Sequence, residues 1–215
     1  MNPAAHEHLR KRCKVMRRLI REHGPCPIVP DTRRSPFEAL VSAVAHQQLH
    51  GKAAETILGR FRALFAPARF PKAQQLAGVT DEALRGCGFS RAKTAAIRDL
   101  AEKTLSGVVP TSRAIARMSN EEIIARLTTV RGVGRWTVEM LLIFKLGRPD
   151  VLPADDFGVR NGLRVAFALP AMPSPKEVLA HGARWHPHAT TAAWYLWRAA
   201  DAAALRKVAV KIKGA

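Results

Sequence analysis

The chain has 215 residues, enough for one large domain or two small ones packed closely together. Hydrophobic residues make up 47%, which excludes a disordered chain, and 35 Lys+Arg against 17 Asp+Glu leave a net charge of +18. Such an excess points to a polyanionic partner, nucleic acid first of all, with a generally basic surface as the plain alternative. The three cysteines, Cys13, Cys26 and Cys87, show no CxxC spacing, so zinc and an iron–sulfur cluster are not expected, and free thiols in a reducing compartment are. The eight histidines have no metal-ligand spacing either.

In chain order, residues 6–23 read as a basic amphipathic helix carrying Arg10, Lys11, Arg12, Lys14, Arg17, Arg18 and Arg21. Gly24-Pro25 ends it, and a Pro-containing loop runs to Arg34. No continuous apolar run follows, so the segment is not read as a secretory signal. Nothing approaches the roughly 20 apolar residues of a membrane span. A soluble intracellular protein is expected, in the cytoplasm or nucleoid of a bacterium or the nucleus of a eukaryote.

Ser35-Pro36 is an N-cap followed by Pro in the first turn. It opens a helix with Phe37, Leu40, Val41 and Val44 at helical spacing. Further helices are predicted at about 52–65, from Thr80 to Gly86, at 91–106, from Ser119 to Leu127 with Glu122 placed for a capping box, and at 135–146. After the connector Pro149 to Pro153, Asp155 or Asp156 opens a helix to about Phe167, and two more follow at 174–185 and 189–208. No alternating run is long enough for a sheet, and the fold class is all-α.

The stretch Leu127-Thr128-Thr129-Val130-Arg131-Gly132-Val133-Gly134-Arg135-Trp136-Thr137 carries the most information. A helix ends, a glycine turn follows, and a new helix begins. Gly132 and Gly134 can take positive φ and let another backbone come close. The first amides of the new helix then face an anion, with the helix dipole and the charges of Arg131 and Arg135 assisting. A DNA phosphate fits that cradle, and the contact would fix register without reading sequence. An ordinary interhelix turn is the plain alternative.

The full string resembles the helix-hairpin-helix motif of the HhH-GPD DNA glycosylase superfamily. Its Gly-Val-Gly-Arg-Trp-Thr run is similar to that of the alkylation-repair branch, the 3-methyladenine DNA glycosylase II type. The likeness continues through Asp150-Val151-Leu152-Pro153-Ala154-Asp155-Asp156-Phe157-Gly158-Val159-Arg160, at the family's spacing. Gln47-Gln48-Leu49 with Ala53-Ala54 matches upstream, and Arg184-Trp185-His186-Pro187 through Trp194 and Trp197 downstream, so that roughly residues 35–200 are covered.

The resemblance implies two helical lobes with the active-site cleft between them. Residues 1–34 form a basic helix and loop packed on the core; lobe 1 spans about 35–110, and lobe 2, with the hairpin, about 111–215 plus the N-terminal helix. It also implies a monovalent cation, Na+ or K+, held by the backbone carbonyls of Thr128, Val130 and Val133.

Breaking a deoxyribosyl C–N bond builds positive charge on the sugar, and a carboxylate fixed beside it stabilises that charge and can orient a water. Of the neighbouring pair, the second acid is the catalyst in the branch that this chain resembles. Asp156 is therefore the expected catalyst and Asp155 the helix cap. Bifunctional relatives carry a Schiff-base Lys in the second hairpin helix where this chain has Trp136, so the resemblance implies hydrolysis without a lyase step.

A flipped cationic purine suits electron-rich rings. Trp136 and Trp197 match family pocket aromatics, although each could instead be a core residue. Phe37 is either core or pocket wall, and His46 and Gln47 either hydrogen-bonded interior groups or polar pocket groups. Gly88-Phe89-Ser90-Arg91 stands where the family carries its DNA-probing loop, with Phe89, Ser90 and Arg91 as candidate wedges. The basic helix 6–23 and the tail from Arg206 to Lys213 read as DNA-facing charge or as solvated faces.

The leading reading is a monomeric, monofunctional DNA glycosylase of base excision repair that acts on duplex DNA and excises alkylated purines such as 3-methyladenine and 7-methylguanine. The alternatives are a glycosylase for other damaged or deaminated bases and a non-catalytic helix-hairpin-helix DNA-binding protein.

Overall fold

The computed structural model describes residues 3–49 and 51–213, with side chains described to residue 206. Among the described residues the secondary structure is helical, without strands. The helices are α1 (Pro3–Arg12), α2 (Lys14–His23), α3 (Pro36–His46), α4 (Gly51–Ala63), α5 (Asp81–Gly86), α6 (Arg91–Leu105), α7 (Ser112–Ile115), α8 (Asn120–Leu127), α9 (Arg135–Phe144), α10 (Phe157–Ala166), α11 (Pro175–Gly182) and α12 (Ala189–Lys213). No described helix is long and apolar enough to cross a membrane.

The chain divides into two compact units, residues 31–146 and residues 1–30 with 147–215. The expected boundary near residue 110 is thus replaced by one at 146/147, and the hairpin belongs with residues 31–110. The physical reason lies in α8 and α9: α8 packs on α9, and α9 on α3, so the segment after residue 110 completes the first body rather than opening the second.

In the 31–146 unit, α3 is the central element, packed against α4, α6 and α9. Its start is fixed by Ser35, whose hydroxyl accepts from the Glu38 amide at 3.1 Å, with Pro36 in the first turn. Leu40, Val41, Val44 and Ala45 are fully buried. An edge-on aromatic set, with Phe61 against Phe65, Phe70 and Phe89, and Phe37 against Phe70, fills the space beside it. Each fully buried aromatic of this kind contributes on the order of 1.5–3 kcal/mol of hydrophobic stabilisation.

The other unit is discontinuous in sequence. Its core joins Leu9, Met16, Leu19 and Ile20 from the N-terminal segment to Val159, Leu163, Val178, Trp185, Tyr195 and Leu196. The predicted helix 6–23 is interrupted at Cys13, which is extended (φ −148°, ψ 115°), so α1 and α2 are separate helices. The break lets Leu9, Cys13 and Met16 all face one core. The axes of α10 and α12 come close because Gly162 has no side chain: a Cβ there would stand 2.0 Å from the Leu196 carbonyl oxygen. The Tyr195 hydroxyl donates to the Gly24 carbonyl at 2.7 Å, and burial pushes its pKa up to about 12.

Candidate active site

Asp156 is the N-cap of α10, with extended backbone (φ −65°, ψ 126°). Its Oδ1 accepts from the Val159 amide at 2.8 Å and from the Trp197 indole Nε1–H at 2.7 Å. The expected division of labour is corrected: Asp156, not the exposed Asp155, caps the helix. Both hydrogen bonds end on the same oxygen, so capping fixes the carboxylate in place without a second acid. Trp197 reaches Asp156 across Gly158, where a Cβ would lie 2.7 Å from the indole Cδ1 and 3.1 Å from Asp156 Oδ1. A half-buried, doubly hydrogen-bonded carboxylate at a helix start is a fixed anion suited to meeting a developing positive charge.

The hairpin lies in the 31–146 unit, between α8 and α9. Gly132 takes the left-handed conformation (φ 73°), as the turn requires. Gly134 does not; it is the N-cap of α9 at φ −89°, ψ 171°. The Val133 amide donates to the Val130 carbonyl at 3.1 Å, and both side chains are buried. Ser35, Ser90, Ser119 and Ser174 each cap their helix through the hydroxyl, whereas no side chain caps α9. The start of α9, with its helix dipole, is where an anion would be received. Arg131 is exposed, and Arg135 forms an ion pair with the buried Glu139 at 3.0 Å.

A family model for the HhH-GPD superfamily of base excision DNA repair proteins matches residues 41–188, from the middle of α3 through the hairpin and the Asp156 loop. The chain belongs to that superfamily. DNA-3-methyladenine glycosylase 1 of Schizosaccharomyces pombe is 48% identical over 166 residues, covering 77% of this chain and 73% of the relative. The alkylbase DNA glycosidase-like protein mag2 of the same yeast is 35% identical, covering 90% and 92%. Among solved structures, a Schizosaccharomyces pombe 3-methyladenine DNA glycosylase in complex with abasic DNA superposes with a TM-score of 0.80 at 43% identity, covering 91% of this chain and 95% of that one. These likenesses place the chain in the alkylation-repair branch, among DNA glycosylase enzymes.

Several expected site residues of this HhH-GPD chain stand elsewhere than predicted. Phe37 and Phe89 are 5% and 3% exposed, held in the aromatic set around Phe61 and Phe70, so both rings have core partners and Phe89 is no exposed wedge. Ser90 caps α6, its hydroxyl accepting from the Lys93 amide, and the neighbouring Arg91 is exposed and without a capping role. Gln47, expected in the base pocket, donates its amide to the Gly132 carbonyl at 2.9 Å.

His46 lies at the end of α3, with Nδ1 2.8 Å from the Ser42 carbonyl. It lines a groove of about 330 Å3 with Ala39, Ser42, Thr137, Met140 and Phe144. Trp136 is 45% exposed and Trp197 half-buried. One exposed apolar side chain escaped the sequence reading as a candidate: Leu49 follows Gln48, a non-glycine residue at φ 57°. The signal was the Gln47-Gln48-Leu49 segment itself, noticed for its glutamines. The tail beyond Arg206 lies outside the described side chains.

Proposed function

We propose that this chain excises alkylated purines, 3-methyladenine and 7-methylguanine foremost, from duplex DNA by hydrolysis alone. The observation that carries the reading is the Asp156 carboxylate, gripped by the α10 amide and the Trp197 indole in a chain of this family.

As the glycosidic bond lengthens, the sugar gains oxocarbenium character, and the fixed carboxylate stabilises it without first having to reorganise. A water held by the same group then completes the hydrolysis. An N-alkylated purine carries positive charge, so it departs as a neutral base and demands little acid catalysis. Trp197, beside Asp156 in the same unit, is the group proposed to face the flipped base, its indole offering a π-face to a cation; Trp136 and His46 are proposed base-facing groups of the 31–146 unit, each taken by itself. With no lysine at position 136, the strand is expected to be left with an intact abasic site.

The hairpin holds a phosphate through the first α9 amides, with Arg131 and Arg135 adding charge. The carbonyls of Thr128, Val130 and Val133 belong to one tight turn, and an all-oxygen donor set of neutral carbonyls fits a sodium or potassium ion. When bound, that ion would add positive charge beside the phosphate. Leu49 and Arg91, both exposed, are the proposed probing side chains.

The test is chromatography of bases released from methylated duplex DNA by the wild type and Asp156→Asn. Free 3-methyladenine and 7-methylguanine from the wild type alone, with strands uncut until alkali, support the reading. Equal release by both proteins overturns the role of Asp156, and no release despite tight DNA binding overturns the activity.

A further inference from the structure

The face of α6 that meets the hairpin carries a set of contacts that catalysis at Asp156 does not use. Asp99 Oδ2 accepts the backbone N–H of Arg131 at 2.6 Å. One turn earlier, the Ala96 methyl would stand 3.2 Å from a Cβ at Gly132, so the left-handed glycine of the turn lies directly on the helix. A further turn back, Lys93 Nζ donates to the Ala45 and Gln47 carbonyls at 2.8 Å each, closing the C-terminus of α3. Gln47 in turn donates its side-chain amide to the Gly132 carbonyl at 2.9 Å. The turn is therefore gripped on both sides of one peptide unit: at the N–H of Arg131 by Asp99, and at the C=O of Gly132 by Gln47.

We infer that Asp99 and Gln47 are positioning residues for DNA binding, a clamp that holds the hairpin turn in its phosphate-receiving conformation, with Lys93 fixing Gln47. An acid beside a DNA-binding loop is unfavourable for contact with a polyanion unless it does something else there. Asp99 directs its charge inward: its carboxylate takes the Arg131 amide and lies 3.8 Å from Lys103 Nζ. Arg131 N–H and Val133 N–H are both committed inside the protein, so they hold the shape of the turn at the start of α9 rather than meet a ligand. Pre-ordering the turn removes an entropy cost that binding would otherwise carry, so loosening the clamp weakens association and leaves the chemical step alone. The inference rests on the reading of the hairpin as the DNA cradle.

The experiment compares full-length wild type, Asp99→Ala, Asp99→Asn and Gln47→Ala. It measures hydrogen exchange at the Arg131 amide, affinity for a duplex containing a tetrahydrofuran abasic analogue, the single-turnover rate of 7-methylguanine release at saturating DNA, and the thermal midpoint. Asp99→Ala is expected to speed exchange at Arg131 and to weaken duplex binding about tenfold, with the saturated rate unchanged. Asp99→Asn restores most of both, since its amide oxygen still accepts from the N–H. Gln47→Ala weakens binding in the same manner.

Unchanged exchange at Arg131 in Asp99→Ala overturns the clamp itself. Faster exchange with unchanged affinity shows a clamp that does not serve DNA and overturns the inference; the cradle reading falls separately, if Arg131→Ala leaves the salt slope of duplex binding unchanged, and base release dependent on Asp156 stands in either case. Loss of rate, affinity and thermal midpoint together, with no rescue by Asn, makes Asp99 merely structural and overturns the positioning role.

Discussion

Trp197 Nε1 and the Val159 amide converge on one oxygen of Asp156, so the acid that begins α10 is held by its own helix and by α12 at once. An asparagine keeps both hydrogen bonds through its carbonyl oxygen and loses only the charge. Asp156→Asn is expected to lower the single-turnover rate of base release by about 100-fold or more while leaving the thermal midpoint near that of the wild type. Asp156→Ala adds the loss of the cap, about 0.5–2 kcal/mol in denaturant unfolding. A large stability loss in the Asn protein would mean that the charge serves the fold and not the reaction.

The indole contact is separable from the carboxylate. Trp197→Phe removes the N–H, and Gly158→Ala pushes a methyl into the space that the indole Cδ1 now fills. Both are expected to slow base release about tenfold, the scale of one hydrogen bond to a charged group. Single-turnover kinetics on methylated duplex check this; a wild-type rate in Trp197→Phe would show that α10 alone orients the acid.

Phe89, a candidate wedge by sequence, is a core residue, whereas Leu49 is exposed. Phe89→Ala opens the aromatic set against Phe61 and is expected to cost about 3–5 kcal/mol in denaturant unfolding. Leu49→Ala, at a 40% exposed position, should leave stability unchanged and weaken binding to a duplex carrying an abasic analogue. Equal stability losses in the two proteins would remove Leu49 from the DNA-facing set.

Two arginines of the hairpin differ in kind. Arg131 is exposed, and Arg131→Ala is expected to reduce the salt slope of duplex binding by about one without affecting stability. Arg135 partners Glu139, which is 4% exposed, so Arg135→Ala should also lower the thermal midpoint by stripping a buried carboxylate of this partner. Binding isotherms across salt concentrations and thermal melts separate the two effects.

Stability should also depend on pH through histidines of the discontinuous unit. Burial lowers the pKa of His6, whose Nε2 accepts the Cys26 amide, with Arg10 adding to the shift. Burial also lowers that of His188, with His8 adding to it. In the unfolded chain both take up a proton near 6.5, whereas in the folded chain they stay neutral to lower pH. Their contribution to stability is therefore fully present above pH 6.5 and is lost as pH falls through the lowered values. Thermal midpoints between pH 7 and 5 should drop, and His6→Gln with His188→Gln should flatten that slope.

Local chemistry made much of this legible in the sequence. Ser35-Pro36, Ser119 with Glu122, and the Gly132 turn each carry their own geometric reason, and each is found as expected. The choice between Asp155 and Asp156 was harder because a one-residue shift in a helix start exchanges cap and loop. The break at Cys13 has no proline or glycine to announce it; it follows from the need to place Leu9 and Met16 against Tyr195 and Leu163, far away in sequence. Phe37 and Phe89 have the same periodicity whether they face a core or a ligand, and only their ring partners decide. The stretches 73–78 and 112–115 are too short for any hydrophobic period to show.

The split core has a consequence for synthesis. Leu9, Met16, Leu19 and Ile20 leave the ribosome well before Tyr195 and Leu196, which share their core. The 31–146 unit is contiguous and can close on its own in the meantime. Until α10 and α12 arrive, the opening helices carry an uncovered apolar stripe beside a dense set of arginines. That stage exposes a nascent chain of this design to aggregation and to chaperone capture, and the arrival of α12 ends it.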